Sequence, residues 1–473
     1  MTATRIALAD LRDSWTAWLS VSLTFLVTST CTALGALCLV SSLAARDTIG
    51  KMNGTSLAAL AGMNTIVCSL VALAVVGSST GLVVTARRGA VARLLLAGAS
   101  PGQVVRVLMV QLAAVTLTCT VVGAALAVAL QPTILRVVAE DRDMPVPAAT
   151  VPVAVLAGAT LYCLAVALLG GLRQARRATR TPAVDALRDA SDGVVRRTSG
   201  WSRAGRWAGF VACFAVIGFM LAGFAAGVSD MSDSDAFTNI GQSSAFAIPI
   251  AGLAFALVAP SIAGPLTRAW SRLIPAPGRT WKPVWHLARS VVGARTDRLA
   301  KSVVPLMFAI GMLVGMTAFS DSLVATFERL GRTDLEGTSA ISTFSILGLP
   351  LAIAVAGSVG NLVMMSRQRD AELALDGIIG ATPAQQRLLP VVEATLIVGT
   401  AAILGVIIAL IGNAALVWGL GQFIDDVAFS VPLGMLAAIL ASCWVVTVAA
   451  TVLPSLPSLR RPAPKVIARL VAS

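Results

Sequence analysis

Residues 87–111, RRGAVARLLLAGASPGQVVRVLMVQ, have a second version at residues 369–393, RDAELALDGIIGATPAQQRLLPVVE. In each version, charged residues follow a long apolar run. A short amphipathic segment then leads through a Gly-Ala-hydroxyl-Pro turn into another apolar run. The offset of 282 residues also relates three further pairs: Gln103 and Gln385, Gly123 and Gly405, Pro182 and Pro464. A register kept over this distance indicates an internal duplication.

The composition places the chain in a membrane. It is 57% hydrophobic and 12% charged, with a mean hydropathy of +0.85 over 473 residues. Its apolar runs reach the roughly 20 helical residues that cross a bilayer. Lipid leaves no backbone group unpaired, so these runs are expected to be helices, and the alternation typical of a β-barrel is absent. We therefore predict an all-α integral membrane protein.

Ten membrane-spanning helices are predicted in an arrangement of four, two and four, with the two sets of four forming a pseudo-twofold duplication. Their expected positions are 19–44, 57–84, 108–130, 150–172, 208–228, 244–264, 302–326, 340–365, 388–415 and 431–454. The first four-helix repeat is expected at 1–188 and the second at 286–473. Basic linkers and the central helix pair occupy 189–285.

The net charge of +13 reflects orientation rather than nucleic-acid binding. Basic residues cluster in every second connection, which is the positive-inside pattern of cytoplasmic loops. We therefore expect a multi-pass protein of the cell membrane with both termini in the cytoplasm. The seven cysteines fall inside apolar runs without metal-type spacing.

The two Gly-Ala-hydroxyl-Pro turns are predicted to be corners between helices. Ser100 and Thr382 stand where a helix N-cap belongs, and Pro fits the first turn that follows. Such a corner on the cytoplasmic face can pass a push from a soluble partner to a membrane-spanning helix. A single copy fits an ordinary interfacial turn equally well, but two copies in register favour the coupling role. The turn residues are Gly98, Ala99, Ser100, Pro101, Gly380, Ala381, Thr382 and Pro383.

No catalytic or metal site is predicted. The sequence lacks GxxxxGK[ST] and HExxH, and His286 is its single histidine. No cofactor is therefore expected on this chain.

Polar residues within the spans offer a possible lateral polar path, because polar groups in a bilayer are costly and often functional. The candidates are Asn64, Gln111, Asn361 and Glu393. Gln111 and Glu393 lie close to the cytoplasmic ends of their spans, so a plain helix-end role stays open for both. Small residues are expected to mark close helix crossings at Gly77, Gly123, Gly357 and Gly405.

The repeated pattern resembles the permease domain of the FtsX/MacB family. The resemblance rests on the segments from Arg87-Arg88 to Gly123 and from Arg367 to Gly405, and on the Pro-x-x-x-Ala-Leu-Arg element at 182–188. The family's acidic residue after the basic pair is matched by Glu372, whereas its counterpart in the first copy is Ala90. The resemblance implies that the turn residues contact an ATPase together with Arg87, Arg88, Arg369 and Glu372.

The resemblance implies a non-catalytic permease subunit of an ABC transporter, with ATP and Mg on a separate ATPase dimer. One duplicated chain is expected per two ATPase subunits. The expected activity is export or extraction of an amphipathic or lipophilic compound such as an antimicrobial peptide, drug or lipid. Two alternatives are an ATP-driven mechanical or sensing module that controls an outer-surface partner, and an ATP-independent secondary transporter.

Overall fold

The computed structural model describes residues 15–141, 144–179, 200–227, 233–274, 278–294, 296–329, 340–422, 424, 426–431 and 433–455. Residues 1–14 and 180–199 lie outside these ranges, and with them the Pro-x-x-x-Ala-Leu-Arg element at 182–188. Within them the chain is helical, with no β-strand.

Twelve α-helices are present in the described residues. They are α1 (Trp15–Ala44), α2 (Lys51–Ala86), α3 (Arg88–Leu96), α4 (Pro101–Asp141), α5 (Val153–Thr179), α6 (Gly200–Gly227), α7 (Asp233–Leu273), α8 (Gly278–Ala294), α9 (Thr296–Arg329), α10 (Ala340–Ile379), α11 (Pro383–Leu420) and α12 (Leu433–Val452). Short 3₁₀ turns follow α1 and α12.

Ten of these helices are long and apolar enough to cross a membrane, which confirms the predicted fold of four, two and four spans. The short α3 and the amphipathic α8 are not among them. Two helices begin earlier than hydropathy predicted, since α4 starts at Pro101 and α11 at Pro383. At 41 and 38 residues they are about 60 Å long, roughly twice the thickness of a bilayer core. Their first turns are therefore polar stems outside the apolar layer.

Each set of four spans forms a bundle of its own. In the first half, α1 packs on α2 and α4, and α5 closes the bundle against α2 and α4. In the second half, α9 packs on α10 and α11, and α12 contacts α10 and α11. The two halves meet where α10 contacts α1 and α2, and where α2 contacts α9.

A pseudo-twofold axis passes between α2 and α10. Ser79 Oγ donates a hydrogen bond of 2.9 Å to Asn361 Oδ1, and these two residues are separated by the repeat offset of 282. One helical turn earlier, a Cβ placed on Gly357 would overlap Val75, its equivalent at the same offset. Because equivalent residues meet at two successive levels, α2 and α10 run side by side in the same direction. The turns that follow them therefore lie at the same end of the bundle, called here the motif end.

The closest helix crossing is built twice. A Cβ on Gly123 of α4 would overlap Ser29 of α1, and a Cβ on Gly405 of α11 would lie 3.0 Å from the amide nitrogen of Gly311 of α9. Ser29 and Gly311 are themselves equivalent by the repeat offset. Small residues let helix backbones approach where lipid provides no hydrophobic drive for association.

The glycines expected at close crossings are confirmed at Gly123, Gly357 and Gly405. At Gly77 an added Cβ meets no described atom within 4 Å, but the Gly77 Cα lies 3.6 Å from a Cβ built on Gly170 of α5, so two helices approach here as well.

Hydroxyl clamps hold the links at the opposite end, called here the far end. Ser41 Oγ on α1 accepts from the backbone N–H of Thr150 at 3.0 Å and from Gln131 Nε2 at 2.7 Å. In the second half, Ser322 Oγ on α9 accepts from the backbone N–H of Ser430 at 3.1 Å. In both halves the first helix thus fixes the chain that leads into the last one.

The central pair packs mainly on the second half. α7 packs on α9 and α11 of the second half and also reaches α2, while α6 packs on α7. Phe210 and Phe214 of α6 meet Phe255 of α7 edge-on, with ring centroids 5.6 and 6.4 Å apart. The pair therefore breaks the twofold symmetry of the two halves.

Candidate functional site

The first Gly-Ala-Ser-Pro turn is a capped corner between α3 and α4. Gly98 has a φ of +88°, a left-handed conformation that favours glycine. Ser100 N donates to Gln103 Oε1 at 2.8 Å, and Gln103 N donates to Ser100 Oγ at 3.3 Å. These reciprocal bonds form a capping box, so two N–H groups without partners inside the helix are satisfied. Pro101 then opens α4, as the sequence predicted.

The second turn has the same structure. Gly380 has a φ of +113°. Thr382 N donates to Gln385 Oε1 at 3.0 Å, and Gln385 N donates to Thr382 Oγ1 at 3.3 Å. The shared geometry explains why Gln103 and Gln385 stand at the same offset as the turns. The chain thus presents two like corners at the motif end, and we call them the paired turns.

The helices leading into the paired turns differ. In the first half, the chain departs from helix at Arg87 (φ −92°, ψ 9°), which separates α2 from α3. In the second half, α10 continues without a break to Ile379. We call these leading segments the arms. The first arm is interrupted at Arg87, which we call the joint, whereas the second arm is one continuous helix.

Arg87 anchors the joint of the first arm. Its side chain is buried, its Nη1 donates a hydrogen bond to Gln111 Oε1, and its guanidinium lies 5.5 Å from the centre of the Trp18 ring. A buried guanidinium needs such partners, since an unpaired buried charge is very costly. The contact therefore ties α1, the joint and α4 together near the motif end.

The position equivalent to Gln111 is Glu393, which is also buried on α11. Arg369 likewise stands at the position equivalent to Arg87. At these two positions the first half therefore has arginine and glutamine, and the second half has arginine and glutamate. The side chains of Arg88, Arg369 and Glu372 lie outside the described part of the structure, although their backbones are helical. Their assignment as ATPase contacts stays a prediction.

A polar cluster joins the halves at the pseudo-twofold axis. Asn361 Nδ2 donates to the carbonyl of Lys301 at 2.9 Å and to Ser78 Oγ at 3.2 Å, while Asn361 Oδ1 accepts from Ser79. Lys301 Nζ donates to the carbonyl of Gly81 at 3.0 Å. One asparagine therefore bonds to both α2 and α9 from α10.

The four residues proposed for a polar path lie at different heights. Asn64 is 23 residues before Arg87 on α2, or about 35 Å along the helix, whereas Gln111 contacts Arg87 itself. Asn361 meets Ser79, about 12 Å from Arg87 along α2. The structure therefore spreads these residues along the bundle, and their joint role stays a prediction.

Sequence reasoning missed the axis cluster and the dock of the central pair. The signal for the first was the offset itself, because it pairs Ser79 with Asn361 on duplicated helices. The signal for the second was a contrast at equivalent positions: Gly399 and Gly412 on α11 stand where α4 has Leu117 and Leu130.

The described residues contain no group of three or more His, Cys, Asp or Glu side chains placed to hold a metal ion. The chemistry that they offer is hydrogen bonding, helix capping and charge.

Two four-helix halves with paired turns at one end define a duplicated membrane permease. The chain belongs to the FtsX-like permease family, because the family model described as FtsX-like permease C-terminal matches residues 62–183 and 343–463, just over half of its length. The two matches confirm the duplication and the resemblance seen in the sequence. A comparison with curated proteins gives no match. Permeases of this family are multi-pass membrane subunits that typically work with an ABC-type ATPase.

Proposed function

We propose that this chain is the permease subunit of an ABC transporter that couples ATP hydrolysis by a separate ATPase dimer to the export or extraction of an amphipathic or lipophilic compound. ATP and Mg would be bound by the ATPase, because the chain carries no P-loop motif. The paired turns at the motif end are the docking points.

The single observation that carries the proposal is the equivalence of the paired turns. Each turn has a glycine at positive φ and a reciprocal capping box, and each opens a helix that runs through the whole bundle. A rigid capped start lets a push at the turn act on the entire helix. A dimeric ATPase offers two equivalent surfaces, which matches two such turns related by a pseudo-twofold axis.

Short far-end links favour transport over mechanical control of an outer partner. The longest link at that end, between Leu420 and Leu433, has 12 residues. Links of this length are ordinary connections, and none holds a folded domain. The chain itself therefore offers little outer surface for a hydrolase or sensor to bind.

Orientation follows from charge, and we assign the motif end to the cytoplasm. Cysteines introduced at Asp233 and Asp334, in a background without the native cysteines, are expected to react in intact cells with an impermeant thiol reagent. A cysteine at Arg196 is expected to stay unlabelled until the cells are opened. Labelling of Arg196→Cys in intact cells would contradict this topology.

The coupling role is tested by straining the turns. Gly98→Val and Gly380→Val place a β-branched residue at positive φ, which costs about 1–3 kcal/mol and distorts the corner. In nanodiscs with the ATPase that co-purifies with the chain, we expect each variant to lower coupled ATP hydrolysis several-fold, and the double variant to abolish it.

Gly50 provides the matched control, because it has a φ of +91° but lies in the link between α1 and α2 at the far end. Gly50→Val is expected to lower the thermal midpoint by a similar amount and to leave ATP hydrolysis unchanged. Normal hydrolysis in the Gly98 and Gly380 variants, or equal losses in all three, would overturn the coupling role.

A further inference from the structure

The corner formed by the end of α7 and by α8 carries unpaired positive charge. Its described basic residues are Arg268, Arg272, Lys282 and Arg289, and we call this set the basic corner. No carboxylate among the described residues lies within salt-bridge distance of any of them. The sequence explains this, since no Asp or Glu occurs between Asp235 and Asp297. Among the described side chains, the corner therefore presents a positive surface without a neutralising acid.

The scaffold under the basic corner is firmly packed. Val284, Trp285, Ala288 and Val292 are buried along one face of α8, which lies against α11 and α7. Trp285 meets Trp270 of α7 edge-on, with ring centroids 6.5 Å apart. This spacing of apolar residues is that of an amphipathic helix fixed by one face.

Large apolar groups are exposed beside the charges. Leu273 and Ile274 at the end of α7 are 82% and 48% exposed, and Trp281 and Leu287 on α8 are 39% and 40% exposed. Tryptophan interleaved with Lys and Arg on an amphipathic helix is typical of a helix in the headgroup layer.

The corner stands apart from the second of the paired turns. Trp270 Nε1 donates to Thr400 Oγ1 on α11 at 3.1 Å. That turn ends where α11 begins, at Pro383, about 25 Å further along the same helix. The corner is therefore well separated from the turn proposed to meet an ATPase.

We propose that the basic corner is a binding site for anionic phospholipid headgroups in the leaflet at the motif end. The four basic side chains meet the phosphates, while Trp281, Leu273 and Ile274 lie among the upper acyl chains. This inference does not depend on the proposed transport function.

The site is expected on one half only. Residues 5–17 of the first half stand at the repeat offset from 287–299, which overlaps only the end of α8, and they balance Arg5 and Arg12 against Asp10 and Asp13. An anionic lipid would thus favour the half that also carries the central pair.

Native mass spectrometry of the purified, delipidated chain tests the proposal with phosphatidylglycerol and phosphatidylcholine of matched acyl chains. We expect the wild-type chain to retain phosphatidylglycerol in preference to phosphatidylcholine. The triple variant R272Q/K282Q/R289Q is expected to lose that preference, since each basic residue near a membrane surface contributes about fivefold in affinity for anionic lipid.

The matched control is the triple variant R93Q/R106Q/R136Q, which removes the same charge from exposed positions on α3 and α4. It is expected to keep the preference of the wild-type chain, and size-exclusion profiles check that both variants fold. No preference in the wild-type chain, or an equal loss in both variants, would overturn the site. A triple variant of the basic corner that keeps its lipid preference but no longer retains an ATPase would assign the surface to a protein partner instead.

Discussion

The two halves of the bundle share a core but differ where the central pair docks. On α11, a Cβ at Gly399 would lie 2.6 Å from the Trp270 ring, and one at Gly412 would overlap Ile248 of α7. The equivalent residues of α4 are Leu117 and Leu130, which are 52% and 45% exposed. Two exchanges between leucine and glycine thus decide which half receives α7. Duplication supplies a symmetric frame, and local substitutions make it one-sided.

The arms that lead to the paired turns show a second contrast. The first arm has a joint at Arg87 held by Gln111 and Trp18, whereas α10 passes the equivalent position as continuous helix. The geometry of the turns is therefore the same in both halves, although the helices that lead into them differ.

The largest loss of stability is expected when a glycine of the second half is replaced by the leucine of the first half. Gly412→Leu forces a side chain into Ile248, and overpacking of this kind costs about 3 kcal/mol when helices have to separate. We expect a clear fall in the thermal midpoint measured by size-exclusion chromatography after heating, because α7 leaves α11.

Two controls isolate the dock of α7. Leu130→Gly in the first half loses only helix propensity, about 1 kcal/mol. Gly434→Leu on α12 enters open space, so it is expected to be neutral or stabilising. If Gly412→Leu lowered the thermal midpoint no more than Gly434→Leu, the glycines of α11 would not be what allows α7 to pack there.

A smaller loss is expected at the pseudo-twofold axis. Asn361→Leu removes the hydrogen bonds to Ser78, Ser79 and the Lys301 carbonyl, each worth about 0.6 kcal/mol in a membrane protein. The thermal midpoint should fall by less than in Gly412→Leu.

A sharper test exchanges the two residues that meet at the pseudo-twofold axis. In the double variant Ser79→Asn/Asn361→Ser, the contact between residues 79 and 361 keeps its chemistry with the roles reversed, although the bond to Lys301 is lost. We expect the thermal midpoint of this double variant to lie between those of the wild-type chain and Asn361→Leu. A double variant less stable than Asn361→Leu would contradict the equivalence of these positions.

The smallest effect is expected from the acidic residue present in one arm only. Glu372→Ala should lower ATPase co-purification or coupled hydrolysis by about fivefold at most, since surface ion pairs contribute up to about 1 kcal/mol. Ala90→Gly, at the equivalent position of the first arm, should change little. Equal and negligible effects would reduce Glu372 to a surface charge.

Much of the fold was predictable because lipid restricts the chain to helices and because the duplication is written in the sequence. The capped turns were predictable too, since glycine, hydroxyl and proline each have a local physical role at a helix start. The spans expected at 108–130 and 388–415 begin later than the helices that contain them, because hydropathy detects the membrane layer and not the polar stems beyond it. The dock of α7 and the cluster around Asn361 depend on which helices meet. The sequence shows which positions are equivalent, but only the structure shows that they touch.

We propose that the duplication gives one chain both docking points of a dimeric ATPase, and native mass spectrometry of the complex purified from membranes can test this. We expect one permease chain with two ATPase subunits, because the turns at Gly98–Pro101 and Gly380–Pro383 lie at the same end around one axis. Two permease chains per ATPase dimer would contradict it and would mean that the duplication serves something other than completing the twofold.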